Sequence, residues 1–455
     1  MKTTRCLAAV LAAALLTPLA DASNVGRRFP SERREMVDAR TGLPIVVLTS
    51  APESDSKPYQ THTTWTADGE WIIFRSSRGD SGPQYFLVHE QRGDIIQLTE
   101  GAGTSVGSPN LSRKEMKFYY MRGGAQPGAE PAAPAQPRQL VELNLATLIP
   151  DALAGRVKAP ESYERVVATL PAELRDSGGF ALDADESAAY WGVSWGTPPT
   201  PPAAATATKA PPAGDNRRDI DRRNTDPSES REAARQRFAE RGRGPGGIRR
   251  IDLKTGEIST VIDLDLRMGH VQTNHWVPGE IIYCHETTGD APQRMWVVRA
   301  DGTGNRPLYV ESLDEWVTHE TVSQPDEVMF NIMGHLPYLR EKPTGIAVVN
   351  LRTNEMKILG QIEENMPNGG RGGFWHCNGS PDGRWAVGDN FSGNVYLIDR
   401  QDGRQRLLTT DHKMRPDHTH PIFSPDSKRV LIQSGHLSDG QQLDLMVVTI
   451  PSDWL

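Results

Sequence analysis

The sequence of 455 residues is poor in cysteine, in excess positive charge and in long apolar runs. Three cysteines in a chain of this length cannot supply the dense disulfide framework of small secreted domains. A net charge of −8 argues against the broadly basic surface on which nucleic-acid binding depends. We therefore expect no nucleic-acid partner, whereas a small polyanion could still bind at a locally positive site.

The one long apolar run lies at the N-terminus and is too short to cross a membrane as a helix. It extends from Cys6 to Leu19, follows a short basic segment and precedes Ala20-Asp21-Ala22. This order is typical of a secretory signal with its cleavage site. We predict that residues 1–22 are removed and that residues 23–455 form one periplasmic or secreted domain with no membrane segment.

Two cysteines, Cys284 and Cys377, remain after loss of this segment. Their separation in sequence does not fix their distance in space, so the sequence leaves open whether they form a disulfide. The oligomeric state is open as well.

Helical periodicity is almost absent, and a unit of apolar strand, tight turn and apolar strand recurs about seven times instead. The recurring turns, several of the Pro-Asp-Gly type, begin at Thr66, Leu111, Asp183, Val277, Gln324, Ser380 and Ser424. Units of about 40–50 residues have the length of propeller blades. The sequence therefore predicts an all-β fold, a seven-bladed β-propeller with four-stranded antiparallel blades.

Two segments stand outside this repeat. Residues 196–247 are rich first in proline and alanine and then in charge, so we predict a disordered or lid-like insertion with at most a short helix around Glu229 to Arg241. The apolar segment from Leu43 to Thr49 has no partner in its own unit. We predict that this N-terminal strand closes the last blade, which would remove an open sheet edge.

The segment Asp417-His418-Thr419-His420-Pro421 contains two histidines at positions i and i+2. On an extended segment such residues point to the same face, so both imidazoles can reach one metal ion. His62, His376 and His420 each precede the aspartate of their turn by six residues, and His319 precedes its aspartate by seven. These positions open the innermost strands, so four blades direct imidazoles at one central funnel.

Imidazole is the commonest metal ligand, so we interpret His376, His418 and His420 as ligands of one ion. His62 has two open interpretations, a substrate contact or packing at the rim. His270 and His275 do not share the offset and receive no role. The histidines that fall in outer strands or loops are predicted to be ordinary surface residues, and these are His89, His335, His412 and His436.

Arg294 directly precedes a strongly apolar segment and follows the polar stretch Tyr283-Cys284-His285-Glu286. One interpretation is a cross-strand ion pair. The other is that its guanidinium holds a substrate carboxylate through two parallel hydrogen bonds. The sequence leaves both open.

Several of these motifs, in this order, resemble the oligogalacturonate lyases, seven-bladed propeller enzymes that degrade pectin. The motifs are Tyr283-Cys284-His285-Glu286, Arg294-Met295-Trp296, Thr318-His319-Glu320, His376 ahead of Ser380-Pro381-Asp382-Gly383, and His418-Thr419-His420-Pro421. The similarity runs from about Thr61 to Ile450 and lapses in the insertion. The resemblance implies β-elimination on an acidic oligosaccharide, an oligogalacturonide, with a divalent metal of the manganese type, Mn²⁺.

The resemblance also implies roles for single residues. His376, His418 and His420 would ligate the metal, His319 would be the Brønsted base, and Arg294 would act at the substrate carboxylate or at the site of proton abstraction. His285 matches a family motif without a firm role, and we group it with His62 and Arg415 as candidate substrate-binding residues.

Arg415 departs from the family, which has a glutamine ligand three residues before the first histidine of the His-x-His pair. A guanidinium cannot ligate a cation. Three alternatives stay open: Asp417 or water completes the site, the metal is bound more weakly, or Arg415 binds the substrate anion.

Two other functions compete with an oligogalacturonate lyase. One is a non-catalytic periplasmic propeller that binds or scaffolds other proteins, which the repeats alone would explain. The convergent histidines argue against it, because a scaffold does not need them. The other is a propeller lyase for a different acidic polysaccharide, such as ulvan.

Overall fold

The computed structural model describes residues 23–79, 82–101, 109–124, 136–196, 231–287, 293–312, 315–332, 345–362 and 373–455. The predicted secretory signal, most of the predicted insertion and His335 lie outside the described residues. No helix in the described ranges combines the length and the apolar composition that a membrane crossing needs.

Seven antiparallel sheets follow one another along the chain, as the repeat predicted. Three short strands come first and do not form a blade of their own: β1 (Arg28–Phe29), β2 (Arg34–Val37) and β3 (Pro44–Val47). From the inner strand outward, blade 1 consists of β4 (Asp55–Ser56), β5 (Trp71–Ser76), β6 (Gln84–His89) and β7 (Ile95–Gln97). Blade 2 consists of β8 (Asn110–Leu111), β9 (Lys117–Gly124), β10 (Gln136–Asn144) and β11 (Glu164–Thr169). Blade 3 consists of β12 (Arg175–Leu182), β13 (Ala188–Ser194), β14 (Gly246–Asp252) and β15 (Ile258–Leu264).

The remaining four blades have the same order of strands. Blades 4 and 5 consist of β16 (Met268–Thr273), β17 (Glu280–His285), β18 (Met295–Arg299) and β19 (Arg306–Pro307), then β20 (Val317–Gln324), β21 (Glu327–Ile332), β22 (Gly345–Asn350) and β23 (Met356–Gln361). Blades 6 and 7 consist of β24 (Phe374–Gly379), β25 (Trp385–Asn390), β26 (Val395–Asp399) and β27 (Gln405–Thr409), then β28 (Ile422–Phe423), β29 (Arg429–Ser434) and β30 (Asp444–Thr449).

The N-terminal strands close the ring. β3 pairs with β30, with Ile45 opposite Val448, and β2 extends the same sheet outward. β1 pairs with β7 of the first blade, with Arg28 opposite Ile96. The predicted closure of the last blade by an N-terminal strand is therefore confirmed, and the same segment also adds a strand to blade 1.

The recurring turns owe their shape to hydrogen bonds that the sequence specifies locally. In blade 6, the Ser380 hydroxyl donates to Oδ1 of Asp382 at 2.6 Å, and the Arg384 N–H donates to the same oxygen at 3.0 Å. Gly383 has a φ of 77°, a conformation that glycine adopts without steric cost. Each such turn starts an apolar strand that packs against the neighbouring blade.

Apolar side chains from adjacent sheets form the cores between blades. Trp385 of blade 6 packs with Ile432 and Met446 of blade 7, and all three are fully buried. Burial of one such side chain contributes about 1.5–3 kcal/mol. The inner strands are thereby fixed around the axis, which is where the histidines enter.

Few helices interrupt the strands in the described ranges. α1 (Leu145–Leu153) follows β10, and α2 (Arg231–Arg241) ends the predicted insertion, at the place where a short helix was expected. Two single 3₁₀ turns span Pro160–Ser162 and His436–Ser438. Phe238 of α2 is buried, so this end of the insertion is packed against the blades.

The prediction that His89 and His412 are ordinary surface residues was wrong, because both are 4 % exposed. Nδ1 of His89 accepts hydrogen bonds from the backbone N–H groups of Gln91 and Arg92, at 3.2 and 3.1 Å. Nδ1 of His412 lies 2.8 Å from the Ser434 hydroxyl. Both rings therefore satisfy buried polar groups of the fold. 

His436 is half-buried, between the surface position predicted for it and a core position. Cys284 and Cys377 are both free and buried, which resolves the open question of a disulfide. Their thiols have pKa values well above the ordinary one, because burial disfavours the thiolate. Neither cysteine is a reactive nucleophile in this environment.

Candidate metal and catalytic site

Several histidines point towards the central funnel because the inner strands pair irregularly at these positions. The register of β16 with β17 shifts between Gly269 and Gln272, and that of β20 with β21 shifts between Thr318 and Thr321. A β-bulge at such a point re-aims a side chain and is frequent beside functional sites. His270 and His319 lie within these two bulges.

Three of the histidines in the funnel have backbone conformations that non-glycine residues rarely adopt. His270, His319 and His420 have φ values of 44°, 57° and 45°. Such conformations cost free energy and persist where the surrounding structure holds them. His376 lies at a further register shift, between β24 and β25. The four rings therefore owe their positions to local departures from regular strand geometry.

The structure brings the three predicted ligands together. The ring centroids of His376 and His420 are 3.8 Å apart, those of His376 and His418 5.3 Å, and those of His418 and His420 6.4 Å. All three residues are buried. We call these residues, together with Asp389, the histidine cluster.

Asp389 holds the histidine cluster in place. Its carboxylate accepts hydrogen bonds from Nδ1 of His376 at 3.2 Å and from the backbone N–H of the same residue at 2.8 Å. The Thr419 hydroxyl donates to it at 2.8 Å, and the His420 N–H at 3.2 Å. Burial raises the pKa of Asp389, against the lowering effect of His420 and of these hydrogen bonds.

The donor atoms of the histidine cluster fit a divalent metal ion. His376, Asp389 and His418 each offer a ligand atom, and these atoms lie within 4.8 Å of one another. Because Asp389 accepts a hydrogen bond from the Nδ1–H group of His376, the Nε2 atom of that ring keeps its lone pair for a metal. Imidazole and carboxylate oxygen are both ligands of divalent cations in proteins.

His420 lies outside that compact group of atoms. Its Nε2 atom is 3.0 Å from Oδ2 of Asp417, and its Nδ1 atom is 3.1 Å from Oε1 of Gln60. Asp417 therefore touches the histidine cluster, whereas Arg415, two residues earlier, is exposed.

His319, the predicted base, lies against the histidine cluster. Its ring centroid is 4.3 Å from that of His376 and 4.8 Å from that of Trp375. Its Nδ1 atom is buried and has no hydrogen-bond partner among the residues that the structure describes. Burial, assisted by the charge of Arg294, lowers the pKa of His319 well below its ordinary value. The ring is therefore neutral at neutral pH and can accept a proton.

A second group of polar side chains borders the first, and we call His270, Cys284, Arg294 and Glu320 the glutamate cluster. Nε of Arg294 donates to Glu320 at 3.0 Å, and Nδ1 of His270 lies 3.1 Å from the other oxygen of Glu320. A further carboxylate, Glu286, is 3.7 Å from Arg294. The cross-strand ion pair, one of the two interpretations of Arg294, is thus present.

Charge compensation sets the ionisation of the glutamate cluster. Burial alone would raise the pKa of Glu320, but the charges of Arg294 and His270 outweigh it and hold the pKa below the ordinary value. The Glu320 side chain is fully buried. It is therefore a carboxylate that Arg294 neutralises within the protein.

The three candidate substrate-binding residues lie in different surroundings. His62 has Nδ1 2.9 Å from the Thr61 hydroxyl and Nε2 3.4 Å from the Phe180 carbonyl oxygen, and burial lowers its pKa to about 4. These are packing contacts. Nε2 of His285 donates to the carbonyl oxygen of Gly242 at 2.8 Å, directly after α2. The insertion therefore touches the polar stretch that precedes Arg294.

Sequence reasoning missed Tyr59, which links the two clusters. The centroid of its ring is 5.3 Å from that of His420, 6.2 Å from that of His376 and 5.2 Å from that of His270. Tyr59 lies in an irregular segment after β4, where neither periodicity nor turn spacing marks it. His270 and Glu320 were also missed as site residues, although the polar residues within apolar strands were a usable signal.

No family model matches the sequence. The chain is 22% identical over 429 residues to an oligogalacturonide lyase of Pectobacterium atrosepticum, a match that covers 90% of this chain and 94% of that protein. It is 25% identical over 213 residues to an oligogalacturonate lyase of Dickeya dadantii, covering 41% of this chain and 51% of that protein.

Two solved structures share the fold. An oligogalacturonate lyase in complex with manganese superposes with a TM-score of 0.69 at 20% identity, covering 95% of this chain and all of the other. An oligogalacturonate lyase of Vibrio parahaemolyticus gives a TM-score of 0.68 at 18% identity with the same coverage. The resemblance to the oligogalacturonate lyases is confirmed: this chain is similar in sequence to one of them over 90% of its length and to another over 41%, and it shares their fold.

Proposed function

We propose that this protein is a polysaccharide lyase that cleaves short oligogalacturonides by metal-assisted β-elimination to 4,5-unsaturated products. The observation that carries the proposal is the histidine cluster, in which Asp389 orients His376 directly beside the neutral ring of His319. β-Elimination next to a carboxylate requires a group that accepts the proton and a cation that neutralises the carboxylate, and the two sites lie side by side here. The similarity to oligogalacturonate lyases supports the choice of substrate.

We further propose that His376, His418 and His420 hold a divalent metal ion. The manganese of the related solved structure makes Mn²⁺ our choice among the divalent ions that this donor set accepts. When bound, the ion would withdraw negative charge from the substrate carboxylate and so favour loss of the adjacent proton. Asp417, which touches His420, supports the alternative in which an aspartate takes the place of the family's glutamine.

His319 would take the proton from C5 of the uronate. As that C–H bond breaks, its electron pair becomes the C4–C5 double bond. The C4–O bond breaks with its electron pair on the oxygen, which takes a proton from water as the other sugar is released. A positioned neutral histidine contributes about 10²–10⁴ to the rate of such a step. The buried, unpartnered Nδ1 of His319 supports this role, because nothing in the described protein competes for it.

Arg294 would assist at the substrate carboxylate. A guanidinium has five N–H donors, and Glu320 takes the one on Nε. The ion pair with Glu320 then fixes the orientation of the remaining donors. His62, His285 and Arg415 stay candidates for substrate binding, with Arg415 as the exposed one of the three. With the predicted secretory signal, we place the reaction in the periplasm or outside the cell.

The test is to incubate the mature protein with digalacturonate and Mn²⁺ and to follow the absorbance of the 4,5-double bond. We expect an increase that a chelator abolishes and added Mn²⁺ restores. A panel of other uronates, including ulvan oligosaccharides, separates the substrate from the reaction type. The absence of unsaturated product from every member would overturn the proposed activity.

A further inference from the structure

A cavity of about 140 Å³ lies beside the histidine cluster, and His420 forms part of its wall. The other polar side chains that line it in the described part of the chain are Ser56, Lys57, Tyr59, Arg75, Tyr85, Asp417 and Gln433. A water molecule occupies about 30 Å³ in the liquid, so the cavity has room for a carboxylate and the carbon that bears it. The charges of the side chains that line the cavity therefore determine which ligand group it favours.

Lys57 is buried at 6 % exposure, which is unusual for a lysine. Its ammonium donates to the carbonyl oxygen of Pro58 at 2.9 Å and, in the described part of the chain, to no carboxylate. Burial lowers the pKa of Lys57 to about 7, although the charges of Asp389 and Asp417 act in the opposite direction. A buried ammonium with so little compensation would gain from an anion.

Arg75 supplies a second positive charge from β5. It is half-buried, and within the described ranges no ion pair or hydrogen bond engages its guanidinium. Arg78, three residues later, shows the contrast: it donates to Glu32 at 2.7 Å and also to Asp55. The protein neutralises one arginine of this region internally and leaves the other facing the cavity.

Among the described residues of the cavity wall Asp417 is the acidic one, and its carboxylate is already engaged. Oδ2 lies 3.0 Å from Nε2 of His420, and Nε2 of Gln433 donates to the same oxygen at 3.3 Å. With Lys57 and Arg75 protonated, the wall carries two positive charges and one negative charge. The cavity therefore favours a monoanion.

We propose that this cavity is a subsite that binds the carboxylate of the uronate residue next to the one that is cleaved, through Lys57 and Arg75. The inference rests on the proposed function and deepens it, because every residue of an oligogalacturonide carries a carboxylate. His420 belongs both to the cavity and to the histidine cluster, so a chain that spans both occupies adjacent positions. The subsite makes the protein select for a second uronate rather than for a neutral sugar.

Two variants test the subsite, Arg75→Gln and Lys57→Met, with Lys357→Met as the control that removes a charge from an exposed position on β23. With digalacturonate and Mn²⁺ we expect KM to rise about 10- to 100-fold in each test variant, the range for one lost hydrogen bond to a charged group. We expect kcat to change little, because neither residue touches the reacting atoms. Unchanged KM in both test variants would overturn the subsite.

A substrate with one carboxylate masked gives a second test that does not depend on how the variants fold. The probe is digalacturonate in which the carboxyl group of the residue that is not cleaved is a methyl ester. The wild-type protein should bind it about 10- to 100-fold more weakly than digalacturonate, whereas in Arg75→Gln, which keeps only Lys57, the difference in affinity should be clearly smaller. Equal loss of affinity in both proteins would contradict the assignment of this carboxylate to Arg75.

Calorimetric titration separates the subsite from the proposed activity. If the wild-type protein forms no unsaturated product yet binds digalacturonate in an Arg75-dependent manner, the proposed activity fails and the subsite stands. If it cleaves digalacturonate and neither substitution changes KM or affinity, the subsite fails and the activity stands. If sodium sulfate binds to the subsite with the same affinity as digalacturonate, the subsite is a general anion site, and its proposed selectivity for a uronate is overturned.

Discussion

The two polar clusters in the funnel contain similar residue types but differ in charge compensation. Each offers three ligand-type side chains within 4.8 Å, His376, Asp389 and His418 in one and His270, Cys284 and Glu320 in the other. In the glutamate cluster a guanidinium already neutralises the buried carboxylate. In the histidine cluster the described hydrogen-bond donors to the carboxylate are an imidazole, a hydroxyl and N–H groups, and the Lys57 ammonium acts on it only through its charge.

The pKa values of the two carboxylates reflect this difference. Burial raises the pKa of Asp389, and its partners do not fully compensate. Burial acts on Glu320 as well, but Arg294 and His270 outweigh it and lower its pKa. A second cation beside Arg294 would be repelled, whereas one beside Asp389 would be attracted. Residue type alone therefore does not locate a metal site. The charges already present around each carboxylate determine whether a metal ion can bind there.

The largest effect is expected from His376→Ala. This change removes a ligand that Asp389 orients, so the protein should lose Mn²⁺ binding and its lyase activity should fall on the order of 10³-fold or more. Metal content after dialysis and the rate of double-bond formation check this. Glu320→Gln is the control from the other cluster and should retain its metal; loss of Mn²⁺ in that variant alone would reverse the comparison.

His319→Ala should lower kcat by about 10²–10⁴ while leaving metal binding intact. The ring contacts the histidine cluster but is not part of its ligand group, so the two properties should separate. Steady-state kinetics and Mn²⁺ titration on the same preparation measure both. Full activity in this variant would refute the assignment of His319 as the base.

Glu320→Gln should destabilise the fold by about 3 kcal/mol, because it leaves Arg294 buried with a weakened partner. The free energy of unfolding in urea at neutral pH measures the loss. A matched change of an exposed acidic residue, Glu355→Gln, should alter stability by about 0.5 kcal/mol or less. An equally small effect of Glu320→Gln would mean that the ion pair contributes no net stability.

The same pair predicts a pH dependence. The folded-state pKa of Glu320 lies below its ordinary value of 4.5, so its contribution to stability is fully present above that pH and is lost as the pH falls further. The difference in unfolding free energy between the wild-type protein and Glu320→Gln should therefore shrink between pH 6 and pH 3. A constant difference over this range would contradict compensation by Arg294.

The smallest effect is expected from Asp389→Asn, which keeps the shape of the side chain but removes its charge. Loss of such an orienting partner lowers metal affinity by about 10–100-fold. Titration with Mn²⁺ measures it, with Asp402→Asn in an exposed turn as the control. Affinity unchanged by Asp389→Asn would show that the carboxylate is not needed to present His376 to a metal.

The fold could be predicted from the sequence because its signals are local. The turn at Ser380 and Asp382 is specified by hydrogen bonds within a few residues, and it recurs at intervals of one blade. The strand near Leu43 has no pairing partner in its own unit, and it pairs with the edge strand β30 of the last blade. His418 and His420 were found from their i and i+2 spacing, and His376 was found because it shares the offset of His420 from the turn.

The rest of the site depends on contacts between distant residues, which spacing does not encode. Gln60 and His420 are 360 positions apart in the chain yet lie 3.1 Å apart in the funnel. Asp389 lies on β25, next to the strand of His376. In the sequence its polar side chain interrupts an apolar run, but nothing in that run indicates which imidazole it contacts. The buried ring of His412 lies against the hydroxyl of Ser434, 22 residues later, and this contact is not visible in the local sequence either.

The location of the ion tests the central claim most directly. Crystals grown with Mn²⁺ and measured on both sides of the manganese absorption edge give an anomalous difference peak at the metal. We expect one strong peak in contact with His376 and His418, and none beside Glu320. A peak between His270, Cys284 and Glu320 instead would contradict the account.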